Sequence, residues 1–80
     1  PPRALVYMLA SQPNGTLYLG MTSNLPRRVH QHKEKLFSGF TARYGVDRLV
    51  WYEVHETVYG AIQREKQLKK WRRAWKLELV

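Results

Sequence analysis

Residues 4–21 read ALVYMLASQPNGTLYLGM, and this stretch decides the fold. Ala4–Ala10 is a nearly unbroken apolar run, which is typical of a strand buried on both faces. Ser11–Gly15 is dense in turn-forming residues and ends in Asn-Gly, the strongest short signal for a β-hairpin. Thr16–Met21 then alternates polar and apolar residues, as a strand with one buried face does. We therefore expect an antiparallel hairpin to begin a small sheet.

The hydrophobic period changes after the hairpin. Thr22–Phe37 has the spacing of a helix, for which Ser23 or Asn24 can serve as the N-cap. Pro26 is tolerated there because it falls in the first turn. This segment predicts the first helix.

The remainder predicts a short helix, a strand and a longer helix. Ser38–Arg48 is a polar connection punctuated by glycine, with one helical turn at Thr41–Tyr44. Leu49–His55 is rich in β-branched and aromatic residues and predicts the third strand. A long helix follows from Thr57 and ends or bends around Trp71–Trp75. We expect an α+β fold with a small three-stranded, mainly antiparallel sheet flanked by helices, in the order β-β-α-(short α)-β-α.

Composition restricts the class of protein. Eighty residues suffice for a single domain, residues 1–80, with a modest core. Without cysteine the chain has neither disulfides nor thiolate zinc ligands. Fourteen Lys and Arg against six Asp and Glu leave a net charge of +8, which favours nucleic acid or an anionic membrane surface as partner. No apolar run approaches the ~20 residues of a transmembrane helix, so we expect a soluble, basic, intracellular domain.

Two polar residues of the first predicted helix lie close to its apolar face. Leu25, Val29 and Leu36 fall within about 40° of one another on a helical projection. His32 lies close beside them, and Arg28 lies at the edge of this face, one turn before His32. These two residues are either packing elements, a hydrogen-bonded core histidine and a snorkelling arginine, or the wall of an active site.

A carboxylate interrupts the apolar stripe of the last helix. The stripe consists of Val58, Ala61, Ile62 and Leu68. Glu65 lies near its centre, where a carboxylate is rare unless it is paired or bound to a metal. Glu65 can form a salt bridge with Lys66 or Lys69. It can equally hold a hard cation such as Mg²⁺, with water and phosphate oxygens completing the coordination.

Two tyrosines belong to the two arms of the predicted hairpin. If the loop is Ser11–Asn14, Tyr7 and Tyr18 stand opposite each other on one face of the sheet. A two-residue Asn14-Gly15 turn would shift that pairing.

The end of the last predicted helix is strongly basic. Residues 64–76, REKQLKKWRRAWK, carry seven cations and one anion, interleaved with Trp71 and Trp75. The one-sided charge favours phosphate binding over a merely solvated face. We expect the two tryptophans to be core anchors rather than platforms for base stacking.

The combination of these motifs resembles the GIY-YIG nuclease superfamily. The resemblance is carried by LVY at Leu5–Tyr7, YLG at Tyr18–Gly20, the helix NLPRRVHQH at Asn24–His32, and Glu65. The resemblance covers Ala4–Val80. Within the superfamily it points to the small stand-alone bacterial members, which are described as endonucleases similar to the C subunit of excinuclease. It implies a metal-dependent DNA endonuclease that hydrolyses phosphodiester bonds in DNA repair or recombination, in the cytoplasm and associated with the nucleoid.

The resemblance also implies roles for single residues. Tyr7 and Tyr18 match the tyrosines of the two family motifs, one as general base toward the attacking water and the other positioning it. Arg28 matches the arginine that stabilises charge on the phosphoryl group, and His32 occupies a position where relatives have His or Tyr. Glu65 matches the ligand of a single divalent cation, Mg²⁺ or Mn²⁺. The basic residues expected to contact nucleic acid are Arg27, Lys33, Lys66, Lys69, Lys70, Arg72 and Arg73.

The chain departs from the family pattern at several positions. Leu5 and Val6 replace Gly and Ile of the first motif, and Leu19 replaces Ile of the second. Met21 stands where excinuclease relatives have lysine, and no asparagine follows Asn24. Two alternatives to an active nuclease therefore stay open. One is a catalytically inactive nucleic-acid-binding module, and the other is a component of a DNA-processing complex that depends on a protein partner for targeting.

Overall fold

Strand β1 (Ala4–Ala10) lies at the centre of a three-stranded sheet, between β2 (Leu17–Thr22) and β3 (Arg48–His55). Both of its neighbours run antiparallel to it. The structure is a computed structural model that describes residues 3–35 and 39–80. Because β1 is covered on both edges and both faces, it has to be apolar nearly throughout, as its sequence is. The predicted α+β fold with an antiparallel sheet is confirmed.

The helices are α1 (Leu25–Lys33), α2 (Phe40–Tyr44), α3 (Val58–Lys69) and α4 (Arg73–Leu77). Asn24 caps α1, since its side chain accepts a hydrogen bond from the N–H of Arg27. Thr57 caps α3 in the same way, and its hydroxyl accepts from the N–H of Gly60. Both helices therefore begin where the polar cap residues predicted.

Two predicted helix ends differ from the structure. The long C-terminal helix is divided into α3 and α4, because Arg72 adopts an extended conformation (φ −63°, ψ 151°) that interrupts the helical hydrogen bonds. This break allows Trp71 to pack against the core. Helix α1 ends at Lys33, whereas the sequence predicted a helix to Phe37. Leu36 and Phe37 lie outside the described residues.

The sheet separates two apolar clusters. On one face, α3 packs on the sheet and contributes Ala61 and Leu68 to an apolar cluster. The strands contribute Ala4, Val6, Met8 and Leu19. On the other face, α1 packs against Tyr7 and Leu9 through Leu25 and Val29. The alternation of β1 residues between the clusters follows from the period of two in a strand. Two apolar residues expected in the core are exposed instead, Val58 at 38% and Trp75 at 49%.

The turn of the hairpin sets the register of β1 and β2. Pro13 and Asn14 occupy the centre of the turn, Asn14 has a φ of 59°, and the N–H of Gly15 donates to the carbonyl of Gln12 at 2.8 Å. The four-residue loop is therefore 12–15, one residue later than the Ser11–Asn14 loop and different from the two-residue Asn14-Gly15 turn. Tyr7 consequently pairs with Gly20. The two tyrosines are therefore not directly opposite, as they would be with a Ser11–Asn14 loop, and Tyr18 lies diagonally across from Tyr7 on the same face.

Gly20 is required because the ring of Tyr7 passes over it. A Cβ atom at position 20 would lie 2.5 Å from both Cζ and Oη of Tyr7. The closest packing in the sheet therefore involves one of the two motif tyrosines.

We expect Gly20→Ala to lower the free energy of unfolding by about 1–3 kcal/mol, because the added methyl group overpacks against a fully buried ring. Urea denaturation monitored by circular dichroism measures this change. Gly60→Ala is the control. Its Cβ would meet the hydroxyl of Thr57 at 3.2 Å and Nδ1 of His55 at 3.5 Å, both further away than the ring at Gly20, and helices prefer alanine to glycine. An equal loss in both variants would contradict the close Tyr7–Gly20 approach.

Candidate active site

Three of the predicted site residues form one cluster of rings. Tyr7 comes from β1, Tyr18 from β2 and His32 from α1. Their ring centroids are 6.3 Å apart for Tyr7 and Tyr18, 6.0 Å for Tyr7 and His32, and 5.5 Å for Tyr18 and His32. The strand register places the two tyrosines diagonally across from each other with their rings close together. Helix α1 packs on the same face of the sheet and positions His32 beside them.

A buried chain of hydrogen bonds runs through this cluster. The hydroxyl of Tyr7 lies 3.1 Å from Nε2 of His32, and Nδ1 of His32 lies 3.2 Å from Oγ1 of Thr41. Tyr7 is fully buried and His32 is 5% exposed. Thr41, from α2, was not among the predicted site residues. No spacing signal in the sequence pointed to it, because only the packing of α2 beside α1 brings its hydroxyl to the histidine.

Burial keeps both titratable members of this chain neutral at pH 7. Loss of solvation raises the pKa of Tyr7 to about 12, with smaller upward contributions from the charges of Tyr18 and Glu65. The charge of Arg28 and its hydrogen bond to Tyr7 act in the opposite direction and are outweighed. The net result is a pKa for Tyr7 above that of a free tyrosine. Burial, and next the charge of Arg28, lowers the pKa of His32 below its usual 6.5.

One arrangement of the protons satisfies all of these hydrogen bonds. Arg28 can only donate, so its hydrogen bond to Tyr7 uses the phenolic oxygen as acceptor. The hydroxyl proton of Tyr7 then donates to Nε2 of His32. A neutral histidine has one N–H, which in this tautomer is Nδ1–H, and it donates to Thr41. In this arrangement the unprotonated nitrogen of the imidazole faces the tyrosine.

Arg28 also lines a polar cleft at the start of α1. The cleft has a volume of about 210 Å³ and is lined by Thr22, Ser23, Asn24, Arg27, Arg28 and Gln31. Arg27 is exposed and Arg28 is half-buried. The beginning of a helix carries a partial positive charge, which adds to the charge of the two arginines. This cleft has the chemistry of a phosphate site.

Glu65 lies on the core-facing side of α3, between the fully buried Ala61 and Leu68. Its side chain is 22% exposed, and Oε1 is 3.6 Å from Nζ of Lys69. The predicted salt bridge is therefore formed with Lys69. The charge of Glu65 also acts on Tyr7, since it is one of the causes that raise the pKa of that phenol.

The donor set suits one type of metal ion. Residues 3–35 and 39–80 contain no group of three or more His, Asp or Glu side chains able to hold a metal. A single accessible carboxylate fits Mg²⁺ or Mn²⁺, since Mg²⁺ retains several waters and takes its remaining ligands from substrate phosphates. The residues present thus fit the ion that the resemblance implies, and its binding stays a prediction.

The basic residues predicted to contact nucleic acid are all exposed, but one of them also has a structural role. Arg27, Lys33, Lys66, Lys69, Lys70 and Arg72 are exposed. Arg73 is exposed as well, but its guanidinium donates to the backbone carbonyls of Asn14, at 2.8 Å, and of Gly15. It therefore tethers α4 to the hairpin loop, a role that the sequence did not predict. No helix in the described part of the chain is long and apolar enough to span a bilayer.

Comparison with known proteins decides the family. The model of the GIY-YIG catalytic domain matches residues 3–78. The chain belongs to the GIY-YIG family. This is a nuclease family whose members act on nucleic acid and generally depend on a divalent metal ion.

Relatives of this GIY-YIG domain include several small UPF0213 proteins. The chain is 36% identical over 76 residues to one from Syntrophus aciditrophicus, covering 94% of the chain and 86% of the relative. It is 35% identical to one from Clostridium perfringens, covering 94% of the chain and 80% of that relative. The solution NMR structure of the UPF0213 protein BH0048 from Bacillus halodurans is similar in fold. Its TM-score is 0.57 at 27% identity, over 96% of this chain and 81% of that one.

We expect the stability of the protein to fall as the pH is lowered through about 6.5. His32 has a lower pKa in the folded state than in the unfolded state, so protonation favours unfolding, and stability rises with pH across this window. Urea denaturation at pH 7.5 and at pH 5.5 measures the difference, and His32→Gln should show a smaller one. His30→Gln, an exposed histidine on the same helix, is the control and should retain the full difference. Equal pH dependence in the wild type and His32→Gln would contradict the assignment.

Proposed function

We propose that this chain is a metal-dependent DNA endonuclease that hydrolyses phosphodiester bonds, in DNA repair or recombination. The observation that carries the proposal is the buried hydrogen bond between the hydroxyl of Tyr7 and Nε2 of His32, beside the guanidinium of Arg28. A packing role alone would not require a tyrosine, a neutral histidine and an arginine to share one set of hydrogen bonds. Proton transfer from an attacking water requires such an arrangement.

The hydrogen-bond chain gives Tyr7 a way to act as a base despite its high pKa. A phenolate with a pKa of about 12 does not form in advance at pH 7. Tyr7 can instead pass its hydroxyl proton to Nε2 of His32 while its oxygen receives a proton from the attacking water. Thr41 fixes the orientation of the imidazole ring, and its hydroxyl can accept from Nδ1–H in the tautomer that this transfer needs. Tyr18, which is partly exposed beside Tyr7 and His32, positions the water.

Arg28 and Glu65 are assigned to the phosphate. Arg28 lines the polar cleft at the start of α1, so its charge lies where a phosphoryl group would bind. A phosphate there competes with Tyr7 for the guanidinium, and the tyrosine hydroxyl becomes accessible to water when Arg28 turns to the substrate. Glu65 would hold Mg²⁺ or Mn²⁺, which supplies charge stabilisation on the leaving oxygen. Lys69 must release Glu65 for this to occur.

The remaining basic side chains support binding to a polyanion. The net charge of +8 favours association with DNA, and hence a location with the nucleoid in the cytoplasm. Arg27 flanks Arg28 in the cleft, and Lys66, Lys69 and Lys70 lie on the same helix as Glu65. We propose that these residues hold the backbone of the strand, Arg27 at the polar cleft and the lysines along α3.

A second candidate function is a nucleic-acid-binding module without catalysis. It is favoured by the complete burial of Tyr7 and its raised pKa, which both oppose an ionised base. The basic surface serves either function equally, so only a measurement of cleavage separates them. A nuclease that needs a protein partner for targeting is a variant of the first candidate.

We expect the protein to nick supercoiled plasmid when Mg²⁺ or Mn²⁺ is present. Glu65→Gln and Arg28→Ala should each lower the nicking rate by about 100-fold or more, because each removes charge stabilisation from the transition state. Gel electrophoresis over a time course measures the rate. Glu78→Gln, an exposed carboxylate beyond α4, is the matched control and should retain full activity.

Salt-sensitive binding of the plasmid without metal-dependent nicking would overturn the endonuclease and support the binding module. The assay is therefore repeated in cell lysate, with Glu65→Gln alongside. Nicking that appears only there, and that the variant lacks, would identify a partner-dependent enzyme.

A further inference from the structure

Helix α3 carries a polar stripe on the side away from the core. Gln63, Lys66, Gln67 and Lys70 follow the spacing i, i+3, i+4, i+7, which places them on one stripe of the helix. Together with Trp71 and Trp75 they line an open cleft of about 500 Å³. The cleft therefore combines two cations, two side-chain amides and two indole rings.

Trp75 is the unusual member of this cleft. It is 49% exposed, although a large aromatic side chain in so small a protein is expected to be buried. Its ring meets the ring of Trp71 edge-on, with centroids 6.1 Å apart and planes at 86°. Trp71 is itself fixed, since it packs against the core cluster and carries the guanidinium of Arg64 5.4 Å from its ring centroid. Trp75 thus lies against Trp71 with half of its surface facing solvent, and the guanidinium of Arg72 lies over its ring, 5.6 Å from the centroid, where a stacking base would take its place.

We propose that this cleft is a nucleobase-stacking subsite, in which an unpaired nucleotide of DNA stacks on Trp75. Flat π-faces next to cations are how proteins bind single strands: the base stacks on the aromatic ring, and the cations hold the backbone phosphates. Lys66 and Lys70 supply the positive charge, and the amides of Gln63 and Gln67 can hydrogen-bond the edges of the base. A paired base hides both of its faces in the duplex, so the subsite selects an unpaired segment.

The surroundings of the cleft argue against a membrane as the occupant. An interfacial helix needs a broad apolar face toward the lipid. The apolar face of α3 is buried against the sheet, through Ala61 and Leu68. The cleft-facing stripe of α3 is formed by glutamine and lysine. The aromatic surface of the cleft is therefore limited to Trp71 and Trp75 among polar groups, which suits a nucleotide.

The position of the subsite relative to Glu65 determines which nucleotide it binds. Glu65 lies on the core-facing side of α3, and the cleft lies on the opposite side. A helix with its side chains is about 10 Å across. The stacked base therefore belongs to a nucleotide further along the strand than the one at the scissile phosphate. This part of the inference rests on the proposed nuclease function, whereas stacking itself does not.

Binding to single strands with and without bases tests the subsite. Fluorescence anisotropy is measured without metal, so that no strand is cleaved, using a short oligothymidylate and an abasic oligonucleotide of equal length. We expect Trp75→Ala to weaken binding of oligothymidylate by about 5- to 150-fold, the range for loss of one stacked base, and to leave binding of the abasic strand unchanged. Trp75→Phe should bind both strands like the wild type, since it keeps an aromatic face.

Tyr59→Ala is the matched control, because Tyr59 is an aromatic residue on α3 that is 72% exposed and does not line the cleft. It should leave binding of both strands unchanged. Unchanged binding of the abasic strand by Trp75→Ala also shows that this variant keeps its folded basic surface. Wild-type-like binding of oligothymidylate by Trp75→Ala, or an equal loss for both strands, would overturn the subsite.

The result of the oligonucleotide-binding test does not depend on whether the protein cleaves plasmid. If the wild-type protein does not nick plasmid in any preparation but Trp75→Ala loses oligothymidylate binding, the proposed nuclease function fails and the subsite stands. If plasmid is nicked but Trp75→Ala binds oligothymidylate normally, the subsite fails and the nuclease stands.

Discussion

The contact between the ring of Tyr7 and the backbone of Gly20 is the constraint on which the candidate site depends. It exists only in one hairpin register, which Pro13 and Asn14 impose through the turn at residues 12–15. In that register the phenol crosses β2 where no Cβ atom blocks it. Its hydroxyl then reaches His32 on α1. A slip of the pairing would remove the gap under the ring, and with it the alignment of strand and helix.

Burial has opposing consequences for this site. Loss of solvation keeps Tyr7 protonated and His32 neutral, and the nearby charge of Arg28 does not reverse the first effect. Taken alone, the raised pKa makes Tyr7 a poor base. Taken with its hydrogen bond to an unprotonated nitrogen, it makes Tyr7 a group through which a proton can pass. Desolvation thus favours a relay over an ionised tyrosine, since neither neutral state has to be disturbed before substrate arrives.

Helix α3 connects the two sites that we propose. Its core-facing side packs on the sheet and carries Glu65, and its outer side carries the lysines and glutamines of the Trp75 cleft. The break after α3 is what makes the second site possible. An uninterrupted helix would carry Trp71 and Trp75 along the axis of α3, whereas the extended conformation of Arg72 lets Trp71 reach the core and leaves Trp75 beside it at the surface.

The sequence by itself determined the three strands, the starts of α1 and α3 and the antiparallel sheet, because alternation, helical period and cap residues are local signals, and its motifs indicated the family that the comparison then showed. It also singled out Tyr7, Tyr18, Arg28, His32 and Glu65, whose catalytic and metal-binding roles stay predictions. Only the tertiary structure decided the diagonal placement of the tyrosines, the hydrogen bond from His32 to Thr41, and the exposure of Trp75. Each of these depends on the turn at residues 12–15, or on elements distant in the chain that pack together. Their physical cause is non-local packing, and no local periodicity in a sequence records it.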